Sequence, residues 1–281
     1  MNYLYYPGCS LKGAAIDYDE SFRAVASALD IGVEEMKDWE CCGATVAKSV
    51  DKNASVSLPL GTLKSAEKEG KDLLMLCPSC YANHMSIKVK AQNDSVFKET
   101  HSLDQTPEIK QFLEVLAFDV GAEKLREGIV RSLKGIRALT YYGCLVARPF
   151  RLAGTESHEN PKAMERVVEA TGAQSVFFPY KVDCCGGTLL ISREKVAMKL
   201  CGNLLKEAKK LSPDCIVVAC PLCHFMLDAK QRAVEKELGE KIRIPVLYIT
   251  QLLGIAMGID YKRLGLHRLV TSPKALLQRI K

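Results

Sequence analysis

The sequence predicts an α/β protein built from two pseudo-symmetric halves, each with a small, mostly parallel sheet flanked by helices. Three observations point there. A group of five cysteines occurs twice. Short apolar runs alternate with stretches of helical spacing in both halves, the pattern of strand–helix units on a parallel sheet. Each cysteine group falls where a predicted strand ends, the edge at which open α/β sheets bind ligands. In each half a lone cysteine, Cys9 or Cys144, precedes an adjacent pair, Cys41-Cys42-Gly43 or Cys184-Cys185-Gly186, and a Cys-Pro-x-Cys follows, Cys77/Cys80 or Cys220/Cys223. The adjacent pair and the Cys-Pro-x-Cys are 34 residues apart in both halves; the upstream gaps are 31 and 39. A repeat of about 140 residues is too long for a solenoid unit and suits a duplicated domain. The expected division is 1–134, 135–260 and a basic tail, 261–281.

In chain order, 2–8 reads as a short buried strand closed by Pro7-Gly8, with Cys9 at its end. Residues 21–29 place Phe22, Val25, Ala26 and Leu29 on one helical face. A strand is expected within 31–39 and a helix over 58–69, capped by Gly70. The run 73–76 is a strand delivering Cys77, and Pro78 suits the first turn of the next helix. Residues 92–106 read as a loop. Ile109, Phe112, Leu113 and Leu116 make a helix face ended by Gly121. The pattern restarts with a strand over 136–142, a helix over 161–170 and a strand over 176–180. A helix over 194–209, a strand over 216–219 and a helix opened by Cys220-Pro221 follow. Residues 249–258 match 112–121 at an offset of 137, with Gln251 opposite Glu114.

Composition is ordinary for a globular chain: 48% hydrophobic and 26% charged over 281 residues. No apolar run approaches the ~20 residues of a membrane span. Residues 1–8 lack the basic and apolar regions of a signal peptide, so a cytoplasmic location is expected. The net charge of +6 sits in the tail, as Lys262, Arg263, Arg268, Lys274, Arg279 and Lys281, with 33 basic and 33 acidic side chains before it. Without interleaved aromatics this is no nucleic-acid surface. It reads as a solvated end or a contact for an acidic partner protein.

Twelve cysteines in a reducing compartment favour metal or redox chemistry over disulfides. A tetrahedral zinc ion wants four ligands, and adjacent cysteines serve one ion poorly because consecutive side chains in an extended segment point apart. They suit a polynuclear centre, in which each sulfur reaches a different metal. A dithiol exchange site at Cys77-Pro78-Ser79-Cys80 or Cys220-Pro221-Leu222-Cys223 is the second alternative, since a helix N-terminus favours thiolate. It would need two cysteines, not five. Cys201 and Cys215 have no counterpart in the first half and read as buried thiols.

The pattern Cys-x31–39-Cys-Cys-Gly-x33-Cys-Pro-x-Cys, twice in one chain, with Tyr-Tyr-Pro-Gly-Cys-Ser at the front and Asp-Cys-Cys-Gly-Gly in the second half, resembles the duplicated cysteine-rich domain of the B-type subunit of heterodisulfide reductases. The resemblance implies two non-cubane [4Fe-4S] clusters, one on Cys9, Cys41, Cys42, Cys77 and Cys80 and one on Cys144, Cys184, Cys185, Cys220 and Cys223. It further implies an oxidoreductase of anaerobic metabolism that reduces, or forms, a small disulfide such as the coenzyme M–coenzyme B disulfide or a related carrier-bound thiol substrate, between paired clusters. Its partners would be a ferredoxin-like iron-sulfur subunit of the C type and a flavoprotein subunit of the A type. The alternative is a non-catalytic electron-transfer subunit of another oxidoreductase, and an open pocket between the two sites would distinguish them. His224 reads as a proton donor or as a surface or helix-capping histidine. Glu156, His158 and Glu159 occupy the longer upstream gap, as a substrate entrance or a plain loop. No Gly-x-Gly-x-x-Gly follows a strand, so no nucleotide or flavin site is expected.

Overall fold

The computed structural model describes the chain apart from residues 45, 46, 104, 105, 155 and 281. Eight strands form two four-stranded sheets: β1 (Asn2–Tyr6), β2 (Gly32–Glu35), β3 (Leu73–Met75) and β4 (Ile109–Gln111), then β5 (Arg137–Tyr141), β6 (Gln174–Val176), β7 (Cys215–Val218) and β8 (Val246–Tyr248). Both sheets are wholly parallel and share one topology, β2-β1-β3-β4 and β6-β5-β7-β8. The central strands are buried almost throughout, as parallel strands covered on both faces must be. The expected α/β halves are therefore present.

Several elements differ from the sequence reading. Ile109 opens β4 and pairs with Leu73 instead of starting a helix; the helix begins at Phe112. Neither three-residue fourth strand stands out, because each runs directly into a helix. The offset of 137 holds in structure: Gln111 N–H donates to Glu114 at 2.7 Å and Tyr248 N–H to Gln251 at 2.9 Å, matching helix starts. The segment read as a loop contains the helix Ser95–Thr100, which exists because Asp94 accepts from Phe97 N–H at 2.9 Å and Phe97 is buried. The strand expected over 176–180 ends at Val176, and Phe177 is exposed. The second Cys-Pro-x-Cys helix is one turn, Pro221–His224, followed by a π-helical turn, Phe225–Ala229; its counterpart Pro78–Asn93 is continuous.

The tail is not a free end. Leu264, Leu266 and Leu276 are buried, Arg268 makes two hydrogen bonds to Glu20, and Arg279 pairs with Asp214. Asp228 accepts from the Val270 and Thr271 N–H groups at 2.8 Å each. Lys281 lies outside the described residues.

The halves share one core and exchange helices. Helix Ile16–Ala28 of the first packs on Ile249–Ala256 of the second, and Ala163–Ala170 of the second packs on the π-helical turn Val115–Val120 of the first. Ser21 and Thr250 hydroxyls meet at 2.7 Å, and the Tyr18 and Tyr248 rings stack at 4.0 Å.

Candidate iron-sulfur sites

In each half three neighbouring strands deliver the cysteines at their C-terminal ends. Cys9 follows β1, Cys41-Cys42 follow β2 and Cys77 follows β3; Cys144, Cys184-Cys185 and Cys220 follow β5, β6 and β7. Pro78 and Pro221 are the first helical residues, so the preceding cysteine stays extended as N-cap.

The five thiols of a half divide into a pair and a trio. Cys41 Sγ lies 3.9 Å from Cys9 Sγ, whereas Cys42 Sγ lies 3.2 Å from Cys80 Sγ, which also bonds Cys77. The second half repeats this division in its electrostatics: Cys184 interacts with Cys144, and Cys185 with Cys223, which in turn interacts with Cys220. Adjacent cysteines thus face different partners. The trios are buried; Cys9 and Cys41 are exposed, and Cys144 and Cys184 half-buried. All twelve cysteines are free thiols. Among the described residues no three His, Cys, Asp or Glu side chains converge to hold a single metal ion.

The electrostatics favour thiolates at specific positions. Cys77 is pulled down to about 7 by its bond from Cys80, against burial and helped by backbone N–H groups of Ser79 and Cys80. Cys184 is pulled down to about 6 by Cys144, against burial and with help from Gly186 N–H. Burial pushes Cys201 and Cys215 up to about 12, which keeps them inert thiols as expected. Glycine is required at Gly143 (φ +67°), where a Cβ would lie 2.7 Å from Cys223 Sγ. It is required again at Gly186 (φ +80°), where a Cβ would lie 2.7 Å from the Ala197 carbonyl oxygen.

Two tyrosines escape the sequence reading as site residues. Tyr6 OH donates to Glu40 O and Tyr141 OH to Asp183 O, both at 2.6 Å. Each carbonyl immediately precedes the first adjacent cysteine. The available signal is Tyr-x-Gly-Cys, present at both Tyr6–Cys9 and Tyr141–Cys144.

The two sets approach each other across the interface. The turn after β5, Cys144–Ala147, packs on helix Pro78–Asn93 of the first half. In the opposite sense, Ser10, next to Cys9, shares a cavity of about 490 Å³ with Pro221 and Leu222, the residues between Cys220 and Cys223. Its other walls include Asp17, His224, Asp228 and Arg268. A pseudo-equivalent cleft of about 490 Å³ lies beside Tyr81, Phe150, Arg151 and His158. His224 is neither on the surface nor a cap: it is buried, bonds Val246 O through Nε2 at 3.1 Å and stacks on Tyr248 at 4.2 Å. Within the longer gap, Glu156 pairs with Arg166, Glu159 with Arg148, and His158 bonds Ala147 O at 2.6 Å.

The second half has a further brace. Lys181 Nζ donates to Pro161 O and to Glu165, each at 2.6 Å, and Tyr142 OH donates to the other Glu165 oxygen. The Lys181 carbonyl accepts from Tyr142 and Gly143 N–H at 2.8 and 3.0 Å. One residue thereby ties the approach to Cys184 to the turn carrying Cys144.

The cysteine-rich domain family CCG matches residues 3–84 and 138–228. The chain belongs to this family. Its CCG domain is duplicated, and the chain is like the B-type subunit of heterodisulfide reductases. It is 31% identical to the B-type subunit of the ferredoxin:CoB-CoM heterodisulfide reductase of Methanosarcina mazei, over 93% of this chain and 91% of that one. It is 35% identical to the 8-methylmenaquinol:fumarate reductase membrane anchor subunit of Wolinella succinogenes, over 97% and 98%. In fold it resembles a hypothetical protein from Helicobacter pylori with a TM-score of 0.76 at 12% identity, covering 96% of this chain and about half of that one, 52%. No described helix of this CCG protein is long and apolar enough to cross a membrane.

Proposed function

We propose that the protein is the disulfide-reducing component of a heterodisulfide reductase-like complex, with one non-cubane [4Fe-4S] cluster in each CCG half. The observation that carries this reading is the interface cavity lined by Ser10, next to Cys9, and by Pro221 and Leu222, between Cys220 and Cys223. Cys9, Cys41, Cys42, Cys77 and Cys80 would hold one cluster, and Cys144, Cys184, Cys185, Cys220 and Cys223 the other. The donor sets fit a polynuclear group: five thiols per half, split so that adjacent cysteines face apart, with glycine where a side chain would fill the space beside Cys223. When bound, such clusters supply electrons one at a time beside the cavity.

The chain's own residues shape the substrate. Asp17 and Asp228 line the cavity, and its one guanidinium among the described residues, Arg268, is already paired with Glu20. No unpaired Lys or Arg among the described residues awaits an anion there, which favours a disulfide with an apolar, uncharged half over the anionic coenzyme M–coenzyme B disulfide. The net step is R–S–S–R′ with two electrons and two protons giving R–SH and R′–SH. Electrons would come from a ferredoxin-like partner of the C type fed by a flavoprotein of the A type, in a cytoplasmic complex. The division at 1–134, 135–260 and 261–281 belongs to the same proposal.

The fumarate reductase relative favours a second reading, an electron-transfer subunit delivering reducing equivalents to another oxidoreductase. The deciding experiment uses anaerobically purified complex. Iron and acid-labile sulfide of about eight each per chain are expected for two four-iron clusters. Reduced viologen and an uncharged aryl disulfide should then yield two thiols per two electrons. Intact clusters without thiol formation, but with electron transfer to a fumarate-reducing partner, would replace the first reading by the second.

A further inference from the structure

We propose that Tyr6 and Tyr141 are positioning residues, each pinning the adjacent-cysteine loop of its own half so that the thiolates stand where that half's centre needs them. The proposal rests on the two-centre reading above, but its geometry does not. Tyr6 ends β1 and Tyr141 ends β5, and both rings are 1% exposed. Their hydroxyls reach equivalent carbonyls, Glu40 and Asp183, at the same 2.6 Å. The upstream gaps differ, 31 residues against 39, yet this contact is kept. The extra length is taken up elsewhere in the loop.

The ring contacts extend to the other cysteines. A Cβ on Gly8 would lie 3.1 Å from both the Tyr6 ring and Cys80 Sγ; one on Gly143 would lie 2.7 Å from Cys223 Sγ and 3.6 Å from the Tyr141 ring. The glycine before the lone cysteine, the last thiol of the Cys-Pro-x-Cys and the tyrosine therefore share one contact. Through its hydroxyl the same ring holds the third component, the adjacent pair. A tyrosine serving only as core would not need its hydroxyl on the same backbone atom in both halves.

The test uses Tyr6→Phe, Tyr141→Phe and the double variant, which keep the rings. Tyr3→Phe serves as control, because its hydroxyl bonds Asp119 at 3.1 Å away from the cysteines. In the full-length protein prepared without oxygen, iron release to a chelator is followed by absorbance. Each single variant should release half of the iron about fivefold faster, the factor one neutral hydrogen bond supports, and the other half at the unmodified rate. The double variant should release all of it fast. In metal-free protein, iodoacetamide labelling mapped by mass spectrometry should rise at Cys41 and Cys42 only in Tyr6→Phe, and at Cys184 and Cys185 only in Tyr141→Phe. Unchanged labelling in both, or an equal rise at all ten cysteines, overturns the proposal. So does loss of folding in both single variants. If the unmodified protein holds no iron, the two-centre reading fails and labelling still decides this one.

Discussion

Lys181→Met offers the sharpest test of how the second cysteine set is held. The Lys181 side chain is 3% exposed and its partner Glu165 12%, with 2.6 Å between them. Water and salt screen such a pair little. Removing the lysine leaves Glu165 charged and buried, with the bond from Tyr142 OH still in place. Breaking a buried pair from one side costs about 3–5 kcal/mol, or about 10 °C in Tm for a chain of this size. Replacing both members removes the stranded charge, so Lys181→Met with Glu165→Gln should recover most of the loss, and the coupling energy should be about 2 kcal/mol or more. Urea denaturation of the metal-free protein, followed by circular dichroism, measures both. A single variant within about 1 kcal/mol of the parent, or a double variant no better than the single, would refute the assignment of Lys181 as a buried brace.

Three further outcomes follow from the same geometry. Gly186→Ala should cost at least about 2 kcal/mol, because the added Cβ would meet the backbone of Ala197; Gly70→Ala, also at positive φ but with open space around it, should cost only about 1 kcal/mol. Denaturant titration compares them, and equal costs would show that backbone contact at Gly186 is irrelevant. Burial holds the Asp17 carboxyl above its ordinary value of 3.8, against His224 and the Gln251 amide. A raised carboxyl favours the fold below its unfolded pKa, and that contribution disappears as pH rises through the folded value. Asp17→Asn should therefore raise Tm at pH 7, with a gain that shrinks toward pH 4; a gain independent of pH contradicts the cause given. Finally, Lys262, Arg263 and Lys274 changed to Glu should weaken co-purification with an acidic partner protein while leaving Tm within a few degrees. Deleting 262–281 would lower Tm as well, because Leu264, Leu266 and Leu276 are buried, so the charge variants isolate the contact.

The repeat makes half of this structure legible in the sequence. Apolar runs at β1, β3, β5 and β7 mark strands because both faces of those strands are covered, and the cysteine spacing marks where they end. β4 and β8 are hidden, since three residues running into a helix have no period of their own. The division of each five-cysteine set into pair and trio is half legible: adjacent side chains must diverge, but which thiol each one meets depends on three strands coming together. The tail misleads because its formal charge masks its buried leucines. Tyr6 and Tyr141 are visible as Tyr-x-Gly-Cys, but their meaning lies in a carbonyl more than thirty residues away, which no local pattern reveals.

Duplication also explains why the two sets stand together. A single half would present five thiols at the edge of its sheet and leave its helix Ile16–Ala28 or Ala163–Ala170 without its present partner, because each of these helices packs on the other half. Hydrophobic burial across that exchange drives association of the halves. The association then lays the Cys144 turn on the first Cys-Pro-x-Cys helix and brings Ser10, beside Cys9, into one cavity with Pro221 and Leu222. The cavity is thus a product of the interface and belongs to neither half. An isolated half could keep its five thiols and still lack that cavity.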